Sequence, residues 1–319
     1  MTYIDCLNQI LKPDPQPKYL AVDLFAGCGG MSLGFEAAGF DTIGYEKNTD
    51  ACSTYNKNLL GRCLPTDLNM STKFPLADIV IAGPPCQPFS VNGIQLGNSD
   101  SRNGFPVCIS AIEQISPQIF VLENVKGLLG KNKWYLDSVE EQLQSLDYKI
   151  TVLLLNAKNY LVPQNRERVF IIGTKTKFIN SIPTQKNQIT AGQALGDLAF
   201  EYNADSKFLT KDMDIYIQKY ETASKCVVPR NLHLDRPSRT LTCRNLAGST
   251  GDMLRICLPS GKRRRINNRE SARLQSFPDW FEFSGTESSA FTQIGNAVPP
   301  MMAFHIARKM KIILDEDFL

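Results

Sequence analysis

At 319 residues, with 43% hydrophobic and 21% charged side chains, the chain carries enough apolar material for one large domain and a smaller one. No run of 18 or more apolar residues occurs, which excludes a membrane-spanning helix. Nine cysteines without a Cys-x-x-Cys pair, and only two histidines, His233 and His305, argue against a disulfide scaffold, a zinc site, a zinc deaminase and a Ser-His-Asp triad. The net charge of +3 does not by itself point to a nucleic acid.

In chain order, Met1 to Tyr19 is polar, with three prolines and no signal-peptide core, so a cytoplasmic protein is expected. Tyr19 to Phe25 reads as a buried strand. It runs into Gly27-Cys28-Gly29-Gly30, and Met31 to Ala38 reads as a helix. Thr42 to Glu46 is a second strand, and a third is expected to end before Asp67. Asp78 to Ala82 and Ile119 to Leu122 follow. Lys149 to Leu155 and Arg168 to Gly173 are expected together at an antiparallel edge. This alternation predicts an α/β domain on a mostly parallel sheet. Residues 175–265 are more polar and less regular, as a separate domain would be. Met301 to Leu314 predicts a helix that returns to the first domain.

Open parallel sheets bind ligands at the carboxyl ends of their strands. At the first end, Gly27, Gly29 and Gly30 allow a ligand close to the backbone and to a helix N-terminus. Glu46 ends the next strand, where an acid accepts ribose hydroxyls, and Asp67 is placed to accept an adenine amino group. No phosphate-gripping lysine motif is present, so an adenosine ligand without phosphates fits better than ATP, and a nicotinamide dinucleotide stays open. At the fourth end, Pro84 and Pro85 fix the backbone just before Cys86. Val91 to Asn103 reads as a mobile lid. Glu123 faces the same crevice. Arg166 and Arg168 alternate along an extended segment, so both face one side. The other cysteines after Cys6, Cys243 among them, read as small buried hydrophobes. The run Lys262-Arg263-Arg264-Arg265 suits phosphate contacts.

Six segments also carry a family resemblance. They are Phe25 to Gly30, Pro84-Pro85-Cys86-Gln87, Glu123-Asn124-Val125, Gln164 to Arg168, Arg269 to Pro278 and Gln293 to Pro299. In this order and at this spacing the chain resembles the bacterial DNA cytosine-5 methyltransferases of restriction-modification systems, over nearly its whole length. The resemblance implies a class I S-adenosylmethionine-dependent, Rossmann-like domain (residues 1–177 and 292–319). A smaller target-recognition domain (178–291) would hold the DNA.

It further implies that Cys86 attacks carbon 6 of a cytosine, that Glu123 binds ring nitrogen 3 and the exocyclic amine, and that Arg168 contacts the base carbonyl, with Arg166 supporting the loop or phosphates. S-adenosylmethionine would lie against Phe25, Gly27, Gly29, Gly30, Glu46, Asp67, Pro85 and Asn296. Gln87, Ser90, Gln164, Thr240, Leu241, Arg263, Arg264 and Arg265 are expected toward DNA. Double-stranded DNA is the expected partner, with no metal and no membrane. A monomer is expected, paired with a restriction endonuclease for the same site. Methylation of transfer RNA is the main rival; a nicotinamide oxidoreductase and a silent DNA-binding protein are weaker ones.

Overall fold

The computed structural model describes residues 1–85, 103–226, 230–247 and 251–317. In chain order these form α1 (Tyr3–Ile10), β1 (Tyr19–Leu24), α2 (Gly30–Ala37), β2 (Phe40–Glu46), α3 (Thr49–Asn58), β3 (Arg62–Pro65), β4 (Ile79–Ala82), α4 (Phe105–Ile115) and β5 (Ile119–Val125). Then come α5 (Lys133–Gln144), β6 (Lys149–Asn156), β7 (Gln164–Asn165), β8 (Glu167–Thr174), α6 (Ala191–Leu195), α7 (Lys211–Ala223) and β9 (Ser238–Arg239). The chain finishes with α8 (Cys243–Ala247), β10 (Arg255–Cys257), β11 (Arg263–Arg265), α9 (Asn268–Leu274), α10 (Glu287–Asn296) and α11 (Pro300–Asp317).

Seven strands make one sheet in the order β3-β2-β1-β4-β5-β8-β6. Pairings among β1 to β5 are parallel, and β8 runs antiparallel to both β5 and β6. The order reverses between β1 and β4, which opens a crevice at the carboxyl ends of those strands. Successive side chains of a buried strand go to opposite faces. Ile79 and Ile81 therefore pack with α1, α2 and α11, through Leu7, Phe35 and Ile306. Val80 and Ala82 pack with α4 and α5, through Ile112 and Val139. The last two strands lie together at the antiparallel end of the sheet, as the sequence predicts, with β6 outermost. β8 alone is antiparallel, and it lies one strand in from that edge. Its run Val169-Phe170-Ile171-Ile172 is fully buried, as an interior strand covered on both faces must be.

The middle of the chain is built from short elements: the antiparallel pair β10–β11, the two-residue parallel pair β7–β9, and α6 to α9. Its apolar side chains do not form an isolated core. Leu195, Leu241, Leu246, Ile256 and Phe277 pack in one cluster with Cys28, Leu33, Cys52 and Tyr55 of the sheet domain. Ile179 and Ile182 belong to the sheet-side core instead. Among the described residues, no helix is long and apolar enough to cross a membrane.

Candidate active site

β1 ends in Asp23 and Leu24, and the chain then turns sharply. Phe25 (φ 58°), Gly27 (φ 56°) and Gly29 (φ 86°) all adopt left-handed backbone. For Phe25 that conformation costs about 1–3 kcal/mol and persists only where the surroundings impose it. Here the next two amides are tied to β2: Ala26 N–H donates to Tyr45 O (3.1 Å) and Gly27 N–H to Glu46 Oε2 (2.9 Å). Glu46 Oε1 accepts from Asn48 N–H (2.7 Å). A carboxylate offers about four acceptor positions, so Glu46 is fixed in direction and keeps capacity for a ligand. Beneath it, Asp23 is 1% exposed and accepts from Ser32 Oγ (2.6 Å). Burial pushes its pKa up to about 7, opposed by the Ser32 hydrogen bond and reinforced by the charge of Glu46.

These residues line one cavity of about 710 Å³ at the sheet's switch point. Phe25, Gly27, Gly30, Glu46, Asp67, Pro85 and Asn296 are all in its wall. Asp67 sits on the lip, with an exposed carboxylate 4.0 Å from Lys47 Nζ. Gly29 corrects the sequence expectation, because it is not part of the lining. Its bare Cα faces buried core side chains instead, where an added Cβ would meet the Tyr55 ring at 2.8 Å.

The same cavity reaches Gly83, Glu123, Asn124, Arg166 and Arg168. Glu123 is inside β5, which runs three residues further than the sequence pattern indicates. Its Oε1 lies 2.9 Å from Arg168 Nε, and both side chains are nearly buried. Asn124 Nδ2 donates to Pro84 O (3.3 Å) and Gly104 N–H to Pro85 O (3.3 Å). The backbone on the approach to residue 86 is therefore pinned to β5 and to the start of α4. Cys86, Gln87, Ser90 and all of the expected Val91 to Asn103 lid but Asn103 itself lie outside the described residues. Among the described residues, no cluster of histidine, cysteine, aspartate or glutamate is arranged to hold a metal ion.

The family model for C-5 cytosine-specific DNA methylases matches residues 19–312. The chain belongs to that family. It is a DNA (cytosine-5) methyltransferase. Type II methyltransferase M.AplI of Arthrospira platensis is 50% identical, over 99% of this chain and 92% of that protein. Type II methyltransferase M.PspPI of a Psychrobacter species is 34% identical, over 92% and 79%. Among solved structures, the Entamoeba histolytica methyltransferase EhMeth superposes with a TM-score of 0.70 at 16% identity, covering 95% of this chain and 99% of that one. The S. pombe Dnmt2 methyltransferase gives 0.70 at 17% identity, covering 94% and 99%. At such identities these two likenesses speak for the fold, a mixed α/β sheet of the Rossmann-like methyltransferase class.

In this methyltransferase several residues expected toward DNA turn out to be internal. Gln164 is fully buried; its Nε2 donates to Gln275 Oε1 and Leu274 O, and its Oε1 accepts from Leu241 N–H (2.9 Å). The Leu241 side chain is also fully buried. Thr240 Oγ1 donates to Asn165 O (2.8 Å). Arg166, 2% exposed, donates to Leu241 O (2.8 Å), Gly295 O (3.2 Å) and Ala297 O (3.2 Å). It braces two backbone segments, at residue 241 and at 295–297, and does not reach for phosphate. Burial, aided by the charge of Arg168, pulls its pKa down to about 9.

Within the basic run, Arg264 alone is fully internal. Arg264 is sealed in an ion pair with Glu270, their side chains 2% and 0% exposed. Arg263 pairs with Asp214 (2.5 Å). Arg265 Nε donates to Leu246 O (2.9 Å) with its guanidinium over the Phe291 ring. A run of charges reads the same in sequence whether it is solvated or paired. Sequence reasoning also missed wall residues: Asp23, Thr242, Cys243, Arg244, Ser289 and Thr292 all line the cavity. The Thr240-Leu241 pair was the available signal, since the next three residues continue into the wall.

Proposed function

We propose that this methyltransferase moves the methyl group of S-adenosylmethionine to carbon 5 of a cytosine turned out of a specific double-stranded DNA site, through a transient bond between Cys86 and carbon 6. One observation carries the reading. A single cavity joins a ribose-suited acid, Glu46, to a paired carboxylate and guanidinium, Glu123 and Arg168, and its wall includes Pro85, the residue before Cys86. The donor set suits an adenosyl group. Phe25 supplies an apolar face, Glu46 has acceptor capacity to spare, and Asp67 lies at the lip.

When bound, S-adenosylmethionine supplies an electrophilic methyl group. The chain's own residues supply the rest. A thiol with an ordinary pKa of about 8.5 is only a few per cent thiolate at neutral pH, so Cys86 must lose its proton as it attacks. Its addition to carbon 6 makes carbon 5 electron-rich. Glu123 holds the exocyclic amine and shares a proton at ring nitrogen 3, and Arg168 donates to the base carbonyl. After transfer the carbon 5 proton leaves to water and the Cys86–carbon 6 bond breaks. The target carbon is closed off in a stacked duplex, so the base must be flipped out. Residues 178–291 serve as the recognition part that holds and reads the DNA. The Type II methyltransferase relatives support a protective role beside a restriction endonuclease of the same site. A cytoplasmic monomer fits that role.

Cys86→Ser is expected to abolish methyl transfer while cofactor binding persists, and near-normal turnover would remove Cys86 from the mechanism. Duplex DNA carrying 5-fluorocytosine should trap a covalent adduct, because no proton can leave carbon 5. A tritiated-methyl assay with labelling of transfer RNA alone would overturn the DNA reading.

A further inference from the structure

Cys243 opens α8 and Asn296 closes α10, and the two meet in the wall of the cavity. The Cys243 thiol lies 3.0 Å from Asn296 Oδ1 and 3.6 Å from Thr292 O. The nearer oxygen is the better acceptor. Close approach of the two helix ends depends on Gly295. An added Cβ there would meet Cys243 N at 2.6 Å and the Thr242 carbonyl carbon at 2.8 Å. Burial raises the Cys243 pKa, so the sulfur carries its proton at neutral pH and can act as a donor. An asparagine side chain has one acceptor end and one donor end. With Oδ1 turned to the thiol, the amide NH2 is the donor left for a ligand.

We propose that Cys243 is a positioning residue for the cofactor: its S–H fixes the Asn296 carboxamide so that the NH2 group donates to an acceptor on the adenosyl ligand. The proposal rests on the reading of the cavity as the S-adenosylmethionine site. It has a consequence for the two parts of the chain. Cys243 belongs to the part assigned to target recognition, so that part helps to build the cofactor wall, and the wall is complete only when residues 240–243 are seated on α10.

The test is calorimetric titration with S-adenosylhomocysteine, without DNA, on the full-length wild type, Cys243→Ala, Cys243→Ser, Asn296→Ala and the Cys243→Ala/Asn296→Ala double variant. Loss of one ordinary hydrogen bond predicts about three- to tenfold weaker binding for Cys243→Ala. Serine keeps a donor and should restore most of it. On the Asn296→Ala background the cysteine change should add nothing, since contacts that act through one another are not additive. Cys243→Val, which fills the thiol's volume without a donor, replaces the alanine variant where that one does not fold. Wild-type affinity in Cys243→Ala, failure of serine to rescue, or full additivity would each overturn the role of Cys243 alone. Failure of the wild type to bind S-adenosylhomocysteine would overturn the reading of the cavity, and this inference with it.

Discussion

Replacing Arg264 with methionine should damage stability and leave DNA contact untouched. Arg264 donates to both oxygens of Glu270 (2.7 and 2.9 Å), and also to Leu198 O (3.1 Å) and Ala199 O (3.2 Å). After the change, Glu270 keeps one backbone donor from its own helix cap, Asn267 N–H at 2.8 Å, but loses its counter-charge at zero exposure. Breaking one side of such a buried pair costs about 3–5 kcal/mol. A domain has about 5–15 kcal/mol to lose, so the urea midpoint should fall markedly. A double replacement, Arg264→Met/Glu270→Met, should recover much of the loss, because no buried charge then remains. The DNA side is read from the salt dependence of duplex binding by fluorescence anisotropy. Each phosphate contact contributes about 0.9 to the slope of log K against log salt. Arg264→Met should leave that slope unchanged. A slope reduced by about one contact, with stability intact, would refute the burial argument and return Arg264 to the DNA surface.

Asp23 makes a pH prediction. Its carboxyl moves from an ordinary 3.8 to about 7 in the folded state. Between those values the folded chain holds a proton that the unfolded chain has released, so this stabilisation declines as pH rises and is gone above about 7. Asp23→Asn should therefore gain stability over wild type progressively from about pH 4 to 7, on the order of 4 kcal/mol at the plateau. Urea unfolding across that range checks it, and a pH-independent difference would refute it. Gly295→Ala forces a Cβ against the Cys243 and Thr242 backbone; it should cost about 1–3 kcal/mol in overpacking and weaken S-adenosylhomocysteine binding, whereas wild-type values for both would show that α8 can move aside.

The strand-end acids were legible because two local rules act together: a buried parallel strand is an apolar run, and whatever polar residue ends it faces the crevice. Glu46 and Glu123 follow from those rules with no knowledge of distant residues. The position of β8 was legible in principle from its unbroken Val169–Ile172 run, but strand order is a pairing between distant segments that no local run encodes. The same holds for Cys243. Its partner Asn296 lies 53 residues further on, so nothing near it in sequence separates it from a buried filler thiol. Arg264 and Gln164 failed as DNA residues for a related reason. Polarity is local, but the burial that neutralises it is made by Glu270, Gln275 and Leu241 from other elements.

The apolar cluster that runs unbroken from Leu241, Leu246 and Phe277 to Cys28, Leu33 and Tyr55 bears on how new target specificities can arise in such enzymes. On the proposed assignment of residues 178–291 to target recognition, a transplanted segment would have to reproduce the shape of the wall it leans on, or leave a void beside the turn that follows β1. Exchange of whole segments is thus favoured only between chains that share that wall, and changes confined to the solvent-facing loops are the easier path to a different DNA site.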